Sequence, residues 1–177
     1  MNKQGKQKGF TLIEACVTLA VAAVITTGAA PTMQQVLEAR HLDGAASQLA
    51  NDLQFARATA VARNQRLRFS MQTDAAGSCY VIHTGAADAC RCGENGPAVC
   101  DSGASEIRTV RVPASDRVLV QANVASILFD PVHGTSTPAG TVRVIGSNGR
   151  ELRHVVNVMG RVRTCSAQGS VGGYRAC

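Results

Sequence analysis

From Phe10 to Ala30 the chain runs for twenty-one residues with a single charged side chain, Glu14. A helix of about 20 residues spans the hydrocarbon core of a bilayer, so the run predicts a membrane helix over 10–31. Lys3, Lys6 and Lys8 precede it and are the only lysines in the chain. Such a cluster holds its end of a helix in the cytoplasm, which sends the rest of the chain across the inner membrane. Ala29, Ala30 and Pro31 only weakly imitate a secretory cleavage site. Pro31 fits a kink where the helix leaves the membrane. Glu14 is the anomaly: an ionised carboxylate in lipid costs several kcal/mol, so its presence implies a cation brought beside it.

Beyond Pro31 the pattern becomes amphipathic. Met33, Val36, Leu37, Leu42, Ala45, Ala46, Leu49, Leu53, Phe55, Ala56 and Ala60 recur at spacings of about three and four. Arg40, Asp43, Gln48, Asp52, Arg57 and Arg63 are expected on the opposite face. The spacing predicts a helix over 32–64, ending near Asn64. A β-rich globular domain over 65–177 follows, with strands at Leu67–Met71, Cys79–His83, Glu106–Val112, Val118–Ala122, Ser126–Asp130, Thr141–Ile145 and Arg153–Val158. Several alternate polar with apolar residues, as in Arg-Thr-Val-Arg-Val at 108–112. Ser147-Asn148-Gly149-Arg150 reads as a tight turn, and 85–105 and 131–140 read as loops. Aromatic content of 3% with no tryptophan points to an aliphatic core favouring sheet. One long helix followed only by strands predicts an α+β fold, the helix laid on antiparallel sheet.

Of seven cysteines, Cys16 falls in the apolar run and reads as a small apolar residue. The other six, on the exported side, read as disulfides. Cys165 and Cys177 bracket the tail and are expected to pin it. Cys90 and Cys92 are poor partners for each other, so each pairs with Cys79 or Cys100, in an order that spacing does not decide. The rival is a four-cysteine zinc site, but paired C-x₂-C knuckles are missing. His41, His83, His133 and His154 are scattered, and no HExxH, Walker or serine-elbow motif occurs. The sequence therefore predicts no catalytic site, cofactor or metal.

Charge is polarised along the chain. Residues 32–142 carry nine arginines against ten acids, whereas 143–177 carry Arg143, Arg150, Arg153, Arg161, Arg163 and Arg175 against Glu151 alone. Gly160 permits a sharp exit from the last predicted strand. In extended chain Arg161 and Arg163 point the same way, roughly 7 Å apart. Two planar guanidinium forks at that spacing can meet successive phosphates of one DNA strand. Arg143, Arg150, Arg153 and Arg175 would assist, and Tyr174 could stack on a base. The alternative is a solvated edge, or arginines paired with acids of a neighbouring subunit.

Gly9-Phe10-Thr11-Leu12-Ile13-Glu14 resembles the signal of type IV prepilins and pseudopilins. The resemblance implies a peptidase that cuts after Gly9, leaving 1–9 as a discarded leader, and a Phe10 that becomes the methylated N-terminus. It also supplies the cation for Glu14: the Phe10 amine of a neighbouring subunit during filament assembly. Gly140-Thr-Val-Arg-Val144 and Arg153-His-Val-Val-Asn-Val-Met-Gly-Arg-Val-Arg163 resemble the GspH/FimT group of minor pilins and pseudopilins. FimT-like members carry a Gly-Arg-x-Arg motif, matched by Gly160, Arg161 and Arg163, that marks binding of double-stranded DNA in natural transformation. The resemblance thus implies a minor pilin held in the inner membrane with a periplasmic domain, then moved into a surface pilus. Its partners would be double-stranded DNA, major and minor pilins and the prepilin peptidase. A purely structural minor pilin that primes assembly, or a type II secretion pseudopilin, shares the same first 64 residues.

Overall fold

The computed structural model describes residues 11–94 and 96–177, with 27–32 and 35 as backbone only. Gly9, Phe10, the leader and the side chain of Pro31 lie outside the described residues. The chain divides into two units, Met1–Leu37 and Glu38–Cys177. Helix α1, Leu12–Ala62, contributes to both.

In the first unit Leu12, Ile13, Val17, Leu19, Val21, Val24 and Ile25 are all exposed. The Thr18 hydroxyl donates to the Ala15 carbonyl, and that of Thr26 to Ala22 and Ala23, each at 3.0 Å. These hydroxyls are satisfied on their own helix. Among the described residues no helix is long and apolar enough to cross a membrane. Met33, Val36 and Leu37, expected on a buried face, are exposed.

The second unit begins with the rest of α1. Leu42, Ala46, Leu49, Leu53, Ala56 and Ala60 are buried at alternating intervals of four and three, which draws one stripe along a helix. A Schellman motif ends α1. Asn64 adopts φ 48°, its N–H donates to Val61 O at 3.2 Å, and the Gln65 N–H donates to Ala60 O at 3.0 Å. Asparagine tolerates the left-handed conformation that this stop demands.

Among the described residues eleven strands follow: β1 (Leu67–Asp74), β2 (Gly77–His83), β3 (Cys90–Arg91), β4 (Val99–Cys100), β5 (Glu106–Pro113), β6 (Val118–Ala122), β7 (Ser126–Phe129), β8 (Ser136–Thr137), β9 (Gly140–Gly146), β10 (Glu151–Val156) and β11 (Val162–Ser166). They form antiparallel sheets ordered β5-β2-β1-β7-β8, β11-β10-β9-β6 and β3-β4. Both larger sheets feed one core with α1: Leu67, Phe69, Tyr80, Ile82, Ile127 and Phe129 from the first, Val118, Val120, Val142, Val144, Leu152 and Val156 from the second. A buried bond from the Val120 N–H to Ser78 Oγ, 2.9 Å, ties the two sheets. The fold is the α+β arrangement expected, a helix laid on antiparallel sheet.

The cysteine-rich insert covers the outer side of β2. Cys79, Val81 and Cys90 form a second small core, so every residue of β2 is buried. Disulfides join Cys79 to Cys92 and Cys90 to Cys100, which leaves none of the four sulfurs to ligate a metal. Two segments expected as loops thus contain β3, β4 and β8.

Three polar helix residues expected in solvent are instead docked. Asp52 is buried, accepting from the Tyr80 hydroxyl at 2.8 Å and pairing with Arg108. The Arg108 guanidinium in turn lies over the Phe55 ring, 4.4 Å from its centroid. Burial and the Asp52 contact hold the Tyr80 phenol protonated far above its ordinary range. Asp43 accepts from Tyr174, and Arg57 reaches a loop described below.

Candidate nucleic-acid interface

The basic tail is more ordered than its sequence suggests, because its middle is an edge strand. Strands β9, β10 and β11 run as consecutive hairpins. The first turn uses Gly149 at φ 76°, with the Gly146 N–H donating to Arg150 O at 2.9 Å. Val142, Val144, Leu152, His154 and Val156 point into the core. Strand alternation then places Thr141, Arg143, Arg153, Val155 and Arg163 on the outward face. Arg143 stands opposite Arg153, and Val155 opposite Arg163.

Two of these arginines are not free. Arg143 grips Glu151 bidentately, Nε to Oε1 and Nη2 to Oε2, each at 2.8 Å, and Arg153 Nε meets the same Oε1 at 2.6 Å. The hydrogen bonds from Arg143 lead in holding the Glu151 carboxyl down to about 2, and they raise Arg143 itself. Arg143 and Arg153, expected to assist at phosphates, are thus both engaged by Glu151 in this fold. One carboxylate serves both, because Arg153 follows it by two residues on the same face of β10 and Arg143 lies diagonally across from it on β9.

Arg161 and Arg163 differ. Both are exposed, and among the described residues neither forms an ion pair. A five-residue turn delivers them: the Gly160 N–H donates to Asn157 O at 2.8 Å, the Asn157 N–H to Arg161 O at 3.1 Å, and the Arg161 N–H to Asn157 Oδ1 at 3.0 Å. Arg161 closes the turn and Arg163 is the second residue of β11, so, two positions apart in extended chain, they share a side. Gly160 sits at φ 70°, and a Cβ there would lie 2.2 Å from Gly134 O and 2.7 Å from Arg57 Nε. Glycine is thus required twice, for the dihedral and for the close approach. The exit anticipated at Gly160 is a hairpin turn into β11, not the start of an irregular tail.

Arg57 Nε donates to Gly134 O at 2.7 Å, fixing the 130–134 loop against the turn. Between the end of α1, this loop and β11 lies a cleft of about 830 Å³. Ala58, Val61 and Val162 line it together with Arg57, His133, Arg161 and Arg163. Sequence reading placed Arg57 on a solvent face and left His133 unassigned. Their proximity depends on a contact 77 residues apart in the chain, and no local pattern announces it.

The last residues are held down. Cys165 and Cys177 form a disulfide, the Ser166 N–H donates to Arg175 O at 2.7 Å, and the Cys177 N–H to Ser166 O at 3.1 Å. Arg150 and Arg175 are exposed. Tyr174 does not offer its ring edge freely: its hydroxyl donates to Asp43, which raises its ionisation above the ordinary phenol value. It anchors the tail to α1. His154 is buried, with Nδ1 2.9 Å from Thr164 Oγ1. Burial lowers it to about 4, so it is neutral at physiological pH.

The family model described as type II transport protein GspH matches residues 45–160, and the prokaryotic N-terminal methylation motif matches 4–30. Arg161 and Arg163 lie just past the first match. Competence protein ComGD of Bacillus subtilis (strain 168) is 33% identical over 66 residues, 37% of this chain and 46% of that protein. The chain thus spans less than half the length of that relative. The type IV minor pilin FimU of Pseudomonas aeruginosa (strain PAO1) superposes with a TM-score of 0.50 at 19% identity, over 72% of this chain and 92% of FimU, a likeness of fold. The leader-proximal motif, the long helix and the match over 45–160 converge: this chain belongs to the GspH/FimT family of type IV minor pilins and pseudopilins.

Proposed function

We propose that this minor pilin binds extracellular double-stranded DNA without sequence preference, for uptake in natural transformation. The observation that carries the reading is the state of Arg161 and Arg163: exposed, unpaired among the described residues, and presented by an edge strand whose entry turn is locked. A locked turn and strand fix the backbone of both arginines in advance, so only side-chain freedom is lost on meeting phosphates, and such contacts need no base readout. Arg150 and Arg175 extend the basic surface, while Arg143 and Arg153 contribute only what Glu151 leaves them. The ComGD name adds competence as a context, by likeness alone.

The same proposal takes 1–9 as a leader removed after Gly9, Phe10 as the methylated N-terminus and 10–31 as the span in the inner membrane. It puts the globular unit in the periplasm and later on the pilus. The exposed apolar side chains and self-bonded threonines of α1 support the span. Glu14, exposed here, would pair with a neighbouring subunit's Phe10 amine during assembly among other pilins.

The test is fluorescence anisotropy of two duplexes of unrelated sequence with the full chain in non-ionic detergent. Equal affinity for both, lost in Arg161→Gln/Arg163→Gln, is expected. A wild type that binds neither duplex would favour the second reading, a structural minor pilin or type II pseudopilin. The type II transport description of the family model speaks for that reading.

A further inference from the structure

The cleft beside β11 has a composition that the proposed arginine pair does not explain. Its floor is apolar, Ala58, Val61 and Val162, and its other groups include Arg57, His133, Arg161 and Arg163, with no carboxylate lining it. Asp130 lies 3.8 Å from the lining residue His133. Arg57 is half-buried and, among the described residues, has no ion-pair partner. Among the described residues only its Nε is engaged, by the Gly134 carbonyl at 2.7 Å. That bond fixes the plane of the guanidinium and leaves its two terminal nitrogens as a preset fork. A half-buried cation without an anion is costly unless a ligand supplies one.

The β11 edge adds backbone donors. The Asn157 N–H bonds to Arg161 O, closing the turn at the mouth of the β10–β11 hairpin, while the Ser166 N–H bonds outward to Arg175 O. Antiparallel alternation then turns the Val162 and Thr164 amides away from β10, to the free edge. Val162 lines the cleft. A fixed guanidinium fork, two mobile ones and an edge amide together make the donor set of a phosphate site. The volume is that of a small-ligand site.

We propose that this cleft seats a phosphate oxyanion on Arg57, and that the oxyanion is supplied by one backbone strand of duplex DNA running along β11. The inference rests on the proposed function for the source of the phosphate, not for the site. Arg57 is then a third phosphate contact, drawn from the helix, and it sets the path of the strand. A free phosphate compound carries the same chemistry and is the other source.

Two measurements on the full chain in non-ionic detergent test it. In the first, duplex affinity is followed against salt for wild type, Arg57→Gln, Arg57→Lys and Val61→Glu. Gln keeps an N–H for Gly134 O, and Val61→Glu places an acid at the cleft while leaving Arg57 intact. One phosphate contact contributes about 0.9 to the salt slope. Between 50 and 200 mM salt the Arg57→Gln affinity should therefore fall about 3.5-fold less than that of wild type. Lys should restore the slope, and Val61→Glu should weaken binding. In the second, melting is followed by circular dichroism with inorganic pyrophosphate, which should raise Tm for wild type and Arg57→Lys but not for Arg57→Gln or Val61→Glu. If Arg57→Gln and Val61→Glu match wild type in both measurements, the cleft proposal is overturned, even where Arg161 and Arg163 still prove necessary for DNA. If wild type binds no duplex but pyrophosphate acts through Arg57, the DNA reading falls and the cleft is a site for free phosphate. If neither ligand binds, both fall.

Discussion

Alanine at position 160 would have to place its Cβ 2.2 Å from Gly134 O and 2.7 Å from Arg57 Nε, at φ 70°. The left-handed dihedral alone costs a non-glycine residue about 1 kcal/mol. The overlap adds a second cost, since the Gly134 carbonyl must move and with it the acceptor of the Arg57 hydrogen bond. A bond from a charged donor contributes about 1.5–3 kcal/mol, so Gly160→Ala should lose roughly 3–4 kcal/mol. Gly149 is the internal control. It has φ 76°, yet a Cβ there meets nothing within 4 Å, so Gly149→Ala should lose only about 1 kcal/mol. For a domain of this size 1 kcal/mol moves Tm by about 2–4 °C, which separates the variants: about 3 °C for Gly149→Ala and about 10 °C for Gly160→Ala. Urea denaturation and thermal melting of the full chain measure both. Equal losses in the two variants would show that the approach of the turn to Arg57 and Gly134 contributes nothing, and that Gly160 serves its dihedral alone.

Other expectations follow from the same geometry. His154, lowered to about 4 from an ordinary 6.5, and Glu151, lowered to about 2 from 4.5, both fold with depressed values. Each contributes stability above its unfolded value and loses it on acidification, His154 between pH 6.5 and 4 and Glu151 between 4.5 and 2. The His154 loss should reach about 3 kcal/mol, so urea midpoints should fall from pH 7 to pH 4.5, and a flat profile there would count against a buried neutral imidazole. Glu151→Gln releases Arg143 and Arg153. It should cost roughly 1–2 kcal/mol of stability while steepening the salt slope of DNA binding by up to about 1.8; an unchanged slope would show that those two arginines do not reach the duplex. Leu53→Ala, at a position 0% exposed, should cost about 3–4 kcal/mol by chemical denaturation, and a loss under 1 kcal/mol would contradict the helix–sheet core.

The helix and most strands were legible because they rest on local period. Leu42 to Ala60 repeats every three to four residues, and Val118–Ala122 was bounded to the residue. Strand β11 was not legible as a strand. Val-Arg-Thr-Cys-Ser is short and half-polar, and its identity comes from pairing with β10. The site was half legible. Gly160, Arg161 and Arg163 stand together in sequence, so their grouping needed no fold. Arg57 needed one, as did the capture of Arg143 by Glu151, a matter of register across β9 and β10. Asp52 looked like a solvated residue because its partners, Tyr80 and Arg108, lie 28 and 56 residues away.

The central claim is that Arg161 and Arg163 are phosphate contacts on a locked strand. Its most direct test is the slope of log affinity against log salt for a single duplex, wild type beside Arg161→Gln/Arg163→Gln, with circular dichroism showing both folded. The account predicts a slope shallower by about 1.8 in the double variant, the loss of two phosphate contacts. A double variant that binds as tightly as wild type, with the same slope, would contradict it.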